Sequence, residues 1–272
     1  MAQKEIERGH LGQLTGDVSW LSVVPYLAYM EVARRYAGSV FGVAWAIAYP
    51  ALQIFVYWAL FALGLQIRII DGVPFEVMLL AGIIPWFMFA DGLSALTSTI
   101  TGNSALVKRI LFPLEILPIS SLLASFYLHC ILMVLTIFIL WIVGFPPTAS
   151  LAFLPYYAVC LAVLIFGVGT ILAIANAAFR DVSQMLASAL WIWFWVTPIV
   201  WPVQILHPKW RWIAEFNPVH YVIQGYRHAL LGDVVAQPGM LAGVFFWTVS
   251  ICLLLIAVFA IKRFKRELAD LL

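Results

Sequence analysis

The sequence predicts an all-α polytopic membrane protein. It should have six transmembrane helices, an N-terminal amphipathic interface helix, and a re-entrant helical hairpin between the fifth and sixth spans. Three observations carry this. Of the 272 residues, 64% are hydrophobic and 10% are charged, against about 25% charge in a soluble domain. The apolar residues gather in runs near the roughly 20 residues that a helix needs to cross a bilayer core, and the mean hydropathy is +1.02. The basic residues fall mostly in alternate breaks between the runs. A net charge of +2 gives no signal for a nucleic-acid partner. One transmembrane domain, 1–272, is expected: an N-terminal segment with its interface helix (1–39), the membrane domain (40–261) and a tail (262–272).

Residues 1–24 are polar and mixed in sign, without the apolar stretch of a cleavable signal. Pro25 suits the first position of a helix. Beyond it Glu31, Arg34 and Arg35 share one face, and Tyr29, Val32, Tyr36 and Val40 another. That pattern suits a helix lying in the membrane interface; the same basic pair also serves as the positive flank of the first span. The first span is expected over 40–65, interrupted by Pro50 and Gln53. A loop over 66–76 holds Arg68 and Asp71. The second span, 77–96, contains Pro85 and Asp91. An acid within a span is a functional candidate by default, although Asp91 lies toward one end and could cap or pair locally.

The stretch 101–118 organises the rest. Asn103 and Ser104 are helix-starting residues, a short helix is expected over 105–111, and Pro113 stops it because proline lacks the N–H and clashes with the preceding turn. Lys108 and Arg109 hold the turn in water. The result is a compact basic knob on two membrane helices, on which a soluble partner could push; an ordinary polar loop is the competing reading. The third span follows over 116–143, with Pro118 expected to bend its start. After a proline turn comes the fourth span, 151–178, then a polar break in which Arg180 and Asp181 could cap two helix ends. The fifth span, 185–200, is short and rich in tryptophan.

Residues 201–238 are too apolar for a free loop and too interrupted for one span. Asn217-Pro218 reads as an N-cap with proline at the first helical position. The helix should run to Leu231 and stop at Gly232. His220, Gln224, Arg227 and His228 fall at i, i+4, i+7 and i+8, one polar stripe. A half-length amphipathic helix beside a short span predicts a re-entrant pair, since non-helical backbone at membrane depth must be covered by protein or line a wet cavity. The stripe would face a central pathway or the outer water, or else pair with helices of its own subunit. The last span, 240–261, precedes Lys262, Arg263, Lys265 and Arg266. Of the 15 lysines and arginines, 11 fall in the N-terminal segment, the knob, the 177–184 break and the tail. This asymmetry predicts both termini in the cytoplasm, on the side of the knob.

Four motif groups, in order, resemble the permease subunits of polysaccharide-exporting ABC transporters. They are Arg35-Tyr36 with Ser39, Gly42, Trp45 and Pro50; Asn103, Leu106, Lys108, Phe112-Pro113, Glu115 and Leu117-Pro118; Phe179-Arg180-Asp181-Val182; and Thr197-Pro198-Ile199 with Asn217-Pro218 and Arg227. The resemblance implies a homodimer with two copies of a cytosolic ABC ATPase. ATP and Mg²⁺ would lie on that partner, with no cofactor in this chain. It also implies a bacterial inner membrane and a lipid-linked polysaccharide cargo of the O-antigen or capsule type. The coupling surface would comprise Ser104, Leu106, Lys108, Arg109, Phe112, Pro113, Glu115, Arg180 and Asp181. Arg34, Arg35 and Tyr36 would sit where a pyrophosphate headgroup arrives, and arginine matches phosphate oxygens in bidentate geometry. Trp201, Asn217, His220, Gln224, Arg227 and His228 would form the outer gate.

Several chemistries are missing from the sequence. There is no G-x-x-x-x-G-K-[ST] phosphate loop, so ATP hydrolysis is not expected of this chain. Cys130, Cys160 and Cys252 lie in apolar runs without metal spacing, and His220 and His228 lack a third ligand. Few intramembrane acids argue against ion-coupled transport. The alternatives are a permease for small hydrophobic drugs and a membrane-embedded glycosyl or acyl transferase, which would want a paired-acid or His-acid constellation. An ion channel would want a symmetric polar ring. The 41 aromatic residues offer sugar rings apolar faces to slide on, but tryptophan and tyrosine also gather at membrane interfaces regardless of cargo.

Overall fold

The computed structural model describes residues 20–64, 69–70, 72–107 and 113–271, and for 20–22, 62, 69–70, 105 and 265–271 the backbone alone. Among the described residues, five helical segments are long and apolar enough to cross a membrane: Gly42–Phe61, Phe75–Gly102, Ile116–Ile142, Ala149–Ala178 and Met240–Phe264. The expected fifth of six spans is shorter than the others, Val182–Val196, at 15 residues. At 1.5 Å per residue it reaches about 22 Å, short of a core of about 30 Å. It stops at Thr197, whose extended backbone (φ −87°, ψ 130°) is what a residue before proline adopts.

Helix α1 (Trp20–Tyr36) begins five residues before Pro25. The proline therefore sits inside the helix instead of opening it, and the Leu21 carbonyl lacks its intrahelical partner. Val24 and Ala28 are buried, while Tyr26, Tyr29 and Met30 are exposed; the helix packs on α5 (Ile116–Ile142). The first span is not one regular helix. A 3₁₀ turn, Gly42–Ala44, leads into α2 (Trp45–Trp58), which ends in a π turn, Ala59–Gly64. Ile69–Ile70 and Val73–Pro74 then pair antiparallel around Gly72, whose φ of +80° suits glycine alone.

Helix α3 (Phe75–Gly102) is the centre of the fold. Of its apolar span 78% is buried, against 6% of the Gly42–Phe61 span. Around it stand α5, α6 (Leu154–Ala178), α7 (Val182–Val196) and α9 (Pro218–Leu231). Close approach of α6 depends on Gly169, where a Cβ would lie 2.7 Å from that of Leu96. The core side chains Phe75, Phe89, Tyr157, Tyr226 and Phe246 are fully buried. Helix α10 (Met240–Leu271) lies along α6.

The knob begins as α4 (Ser104–Val107); positions 108–112 lie outside the described residues, and with them Lys108, Arg109 and Phe112. Asn103 closes the end of α3: its amide nitrogen donates to the Thr99 carbonyl at 2.7 Å. Pro118 falls in the first turn of α5, where a missing N–H costs nothing because those groups have no intrahelical partner. Asp181 precedes α7 without a side-chain cap. That turn is held by Asn176, whose Oδ1 accepts from the Ser183 N–H at 3.2 Å.

Candidate functional site

One end of the bundle gathers α1, the end of α3, α4, the start of α5 and the α6–α7 turn. Arg34 donates to the Gly102 carbonyl and to Asn103 Oδ1, both at 3.3 Å. Arg35 pairs with Glu31 at 2.8 Å and donates to Ser125 Oγ at 3.2 Å. Ser121 Oγ donates to the same Glu31 carboxylate at 2.9 Å. Asn176 reaches from α6 to the Thr97 carbonyl at 3.2 Å and to Thr101 Oγ1 at 3.4 Å. Beneath the knob Ile100, Val107, Leu114, Leu117, Ala173 and Ala177 form a small apolar cluster of their own. The knob is thus anchored on both sides: polar ties hold α1 to α3 and α5, and apolar packing holds the turn to α6. A cleft of about 500 Å³ opens between α1 and these helix ends, with Tyr26, Glu31, Arg34 and Asn103 on its walls.

Of the residues expected to couple or to bind a headgroup, Arg34, Arg35, Ser104 and Leu106 meet here. Tyr36 is half-buried at the end of α1, and Pro113 and Glu115 sit half-buried before α5. Arg180 and Asp181 are exposed on the neighbouring turn.

The opposite end is built around α9. Asn217 caps it as the sequence predicts, its Oδ1 accepting from the Val219 N–H at 3.0 Å. It also binds back to α7, since its Nδ2 donates to Thr197 Oγ1 at 2.9 Å and its Oδ1 accepts from the Trp193 indole at 3.2 Å. Gly232 ends the helix with φ +71°. Trp201 donates to the Trp195 carbonyl at 3.0 Å.

Arg227 is 5% exposed and its guanidinium spreads over three chain segments. It donates to the carbonyls of Ile199 at 2.7 Å, Pro198 at 3.1 Å and Met78 at 3.3 Å, and to Gln224 Oε1 at 3.1 Å. The physical reason is the break after α7. Carbonyls that leave a helix at membrane depth must be satisfied from within the protein, and one arginine offers five donors in a fixed fork. His228 Nδ1 meets the Val235 carbonyl at 2.8 Å. His220 is half-buried, and its Nδ1 has no partner. The polar stripe is therefore tied into its own subunit at Arg227 and His228.

Sequence reasoning missed three features. Gly82 on α3 makes room for Arg227, because a Cβ there would lie 2.7 Å from the guanidinium. Tyr226 meets His129 Nε2 at 3.0 Å, which connects α9 to α5. Ser121, Ser125 and His129 form a buried stripe along α5 at spacings of four, a signal that was legible but passed over. Among the described residues no group of His, Cys, Asp or Glu is arranged to hold a metal ion.

Residues 24–231 match the family model described as ABC-2 type transporter. The chain is 27% identical over 207 residues to the O-antigen export system permease protein RfbA of Klebsiella pneumoniae, covering 75% of this chain and 78% of that one. It is 26% identical over 183 residues to RfbA of Myxococcus xanthus, covering 67% and 69%. It is 24% identical over 218 residues to the polysialic acid transport protein KpsM of Escherichia coli, covering 79% and 83%. With the matched region running from α1 through the last turn of α9, the chain belongs to the ABC-2 type transporter family.

Proposed function

We propose that this chain is the membrane subunit of an ABC exporter for a lipid-linked polysaccharide of the O-antigen or capsule type. It works as a homodimer in a bacterial inner membrane, with both termini and the knob in the cytoplasm and two copies of an ATPase docked there. The observation that carries the reading is the shared extent: the family match runs over 24–231, taking in the interface helix, the knob and the α9 helix together, and the relatives named for O-antigen export and polysialic acid transport cover 75% and 79% of the chain. The packing of the knob's base on α3, α5 and α6 supports a coupling role, because a push on the knob acts on three helices at once. The naked Gly42–Phe61 span, with the short α7 beside it through the stacked Tyr57–Phe194 pair, supports the homodimer. On this reading α7 is the short fifth span and the stretch 201–232, with α9, forms the re-entrant hairpin between the fifth and sixth spans at the outer side, held by Arg227 more than gated by it.

The test is reconstitution. The chain and its cognate ATPase, in inverted membrane vesicles loaded with lipid-linked polysaccharide on the outer face, should move polysaccharide inward only with hydrolysable ATP. Polysaccharide transport without the ATPase, or ATP-driven movement of small hydrophobic dyes and not of polysaccharide, would overturn the assignment.

A further inference from the structure

Beside the α9 end but apart from its polar stripe, a recess of about 1050 Å³ opens between the starts of α6, α9 and α10. Its size is at the upper end of ligand sites, about 300–1,000 Å³. Its wall is built from aromatic groups whose polar atoms are used on one another. The Trp247 indole donates to Tyr156 Oη at 2.9 Å, and Tyr156 Oη meets Tyr221 Oη at 3.1 Å. Tyr221 stacks on Phe246 with centroids 4.9 Å apart. Gly243 keeps the back of the recess open, since a Cβ there would press to 3.3 Å from Tyr221 Oη.

The recess has a direction. Its mouth lies at Gln237 and Met240, where α10 begins, and its lining continues along α10 to Cys252. Twelve helical residues at 1.5 Å make about 18 Å, slightly more than half of a core of about 30 Å. That is the depth of one leaflet. Polar atoms stand at the mouth, and the far end is Ile251 and Cys252. No lysine, arginine, aspartate or glutamate lines it, so nothing there selects an anionic headgroup. The helix face most in need of a second copy is elsewhere, on the naked Gly42–Phe61 span.

We propose that this recess binds one diacyl phospholipid with a zwitterionic headgroup. The ester region sits at Gln237 and Tyr221, and an acyl chain lies along α10 toward Cys252. The lipid fills the space under α9 and buttresses Tyr221, so it is a structural part of the exporter. A glycan is disfavoured because the Trp247 indole and one of the two tyrosine hydroxyl donors are already spent within the wall. The inference rests on α10 crossing the membrane and holds whatever the cargo is.

The test uses the full chain in vesicles of phosphatidylethanolamine and phosphatidylglycerol. A trace of phosphatidylethanolamine carries a photoactivatable group in mid-chain, and adducts are mapped by mass spectrometry. Adducts should concentrate on 244–252, about tenfold above the equally bare Val134 and Phe138 of α5, a preference worth about 1.4 kcal/mol. Thr248→Trp fills the recess from an exposed position and should remove that excess while leaving the α5 adducts unchanged. Gly243→Leu should do the same from the back wall. Even labelling of α5 and α10 would mean ordinary lipid contact and overturn the site. Two further results would also overturn it: cross-linking of two copies through Cys252 in a Cys130→Ser background, or protection of Trp247 by free polysaccharide and not by lipid.

Discussion

Replacing Arg227 with methionine keeps the bulk of the side chain and removes its donors. Four hydrogen bonds disappear: those to the Met78, Pro198 and Ile199 carbonyls and to Gln224. Bonds between membrane helices average about 0.6 kcal/mol each, which makes four worth about 2.4 kcal/mol. The Pro198 and Ile199 carbonyls lie outside any helix and cost about 1 kcal/mol or more apiece when this donor is lost, whereas Met78 keeps its place in the α3 ladder. Burying an arginine carries a desolvation cost that methionine recovers, so the net loss should be about 2–3 kcal/mol. That is roughly a 30- to 150-fold change in the unfolding equilibrium. The assay is reversible unfolding of the full chain in mixed micelles, with export measured in parallel. Gly82→Ala supplies the internal control. Its Cβ would stand 2.7 Å from the guanidinium, so alone it should cost about 1–3 kcal/mol by overpacking. With Arg227 already replaced, that cost should nearly vanish, giving a coupling energy well above the roughly 0.5 kcal/mol of independent sites. If Arg227→Met unfolds like the wild type while export is abolished, the arginine lines the route and the structural account is wrong.

Other outcomes are open to direct measurement. Glutamate at both Lys108 and Arg109 should leave the chain inserted but lower recovery of the ATPase on co-purification; undiminished recovery and export would remove the coupling role. Arg34→Gln cuts the ties to Gly102 and Asn103 and should weaken substrate stimulation of the ATPase more than its basal rate, and equal loss of both would point to simple unfolding. Arg35→Ala should lower export with topology intact, and normal export by both this variant and Arg35→Lys would exclude a headgroup contact. Gly225→Ala would drive a Cβ into the buried Tyr157 ring; a loss of about 1–3 kcal/mol is expected by overpacking, and a neutral result would show that α9 and α6 do not pack as described.

The membrane class and most helix positions were legible because lipid makes hydropathy nearly sufficient: a polar backbone must be satisfied within its own helix, so span lengths are read off the sequence. What periodicity could not supply was the partner across a gap. The cap at Asn217 was readable since its acceptor serves Val219, two residues on. The tie of Asn103 back to Thr99 was not readable, because the same side chain can serve the helix behind it as well as the one ahead, and only the register of α3 shows the first. The Arg227 carbonyls lie 28 and 149 residues away; the proline after Thr197 marks the break that exposes those of Pro198 and Ile199, but nothing in the local sequence says which donor reaches them. Gly82 reads as one more small residue in an apolar helix until the guanidinium is seen against it.

The contacts along α5 bear on how the two ends of the bundle communicate. Ser121 bonds to Glu31 of α1, Ser125 to Arg35 of α1, and His129 to Tyr226 of α9. The three stand at intervals of four residues, so they project from one face of one helix. That helix starts immediately after the knob, at Ile116. The span from Ile116 to His129 is about 20 Å of regular helix at 1.5 Å per residue, with no proline past its first turn. A close-packed helix of this kind moves as a body, because interiors at crystal-like density do not absorb strain by bending. A displacement of the α5 start therefore cannot leave both α1 and α9 in place: the buried His129–Tyr226 bond either carries α9 along or breaks. The polar stripe is where that choice is made, since its His129–Tyr226 bond is buried, while the ties of Ser121 and Ser125 to α1 are only part-buried.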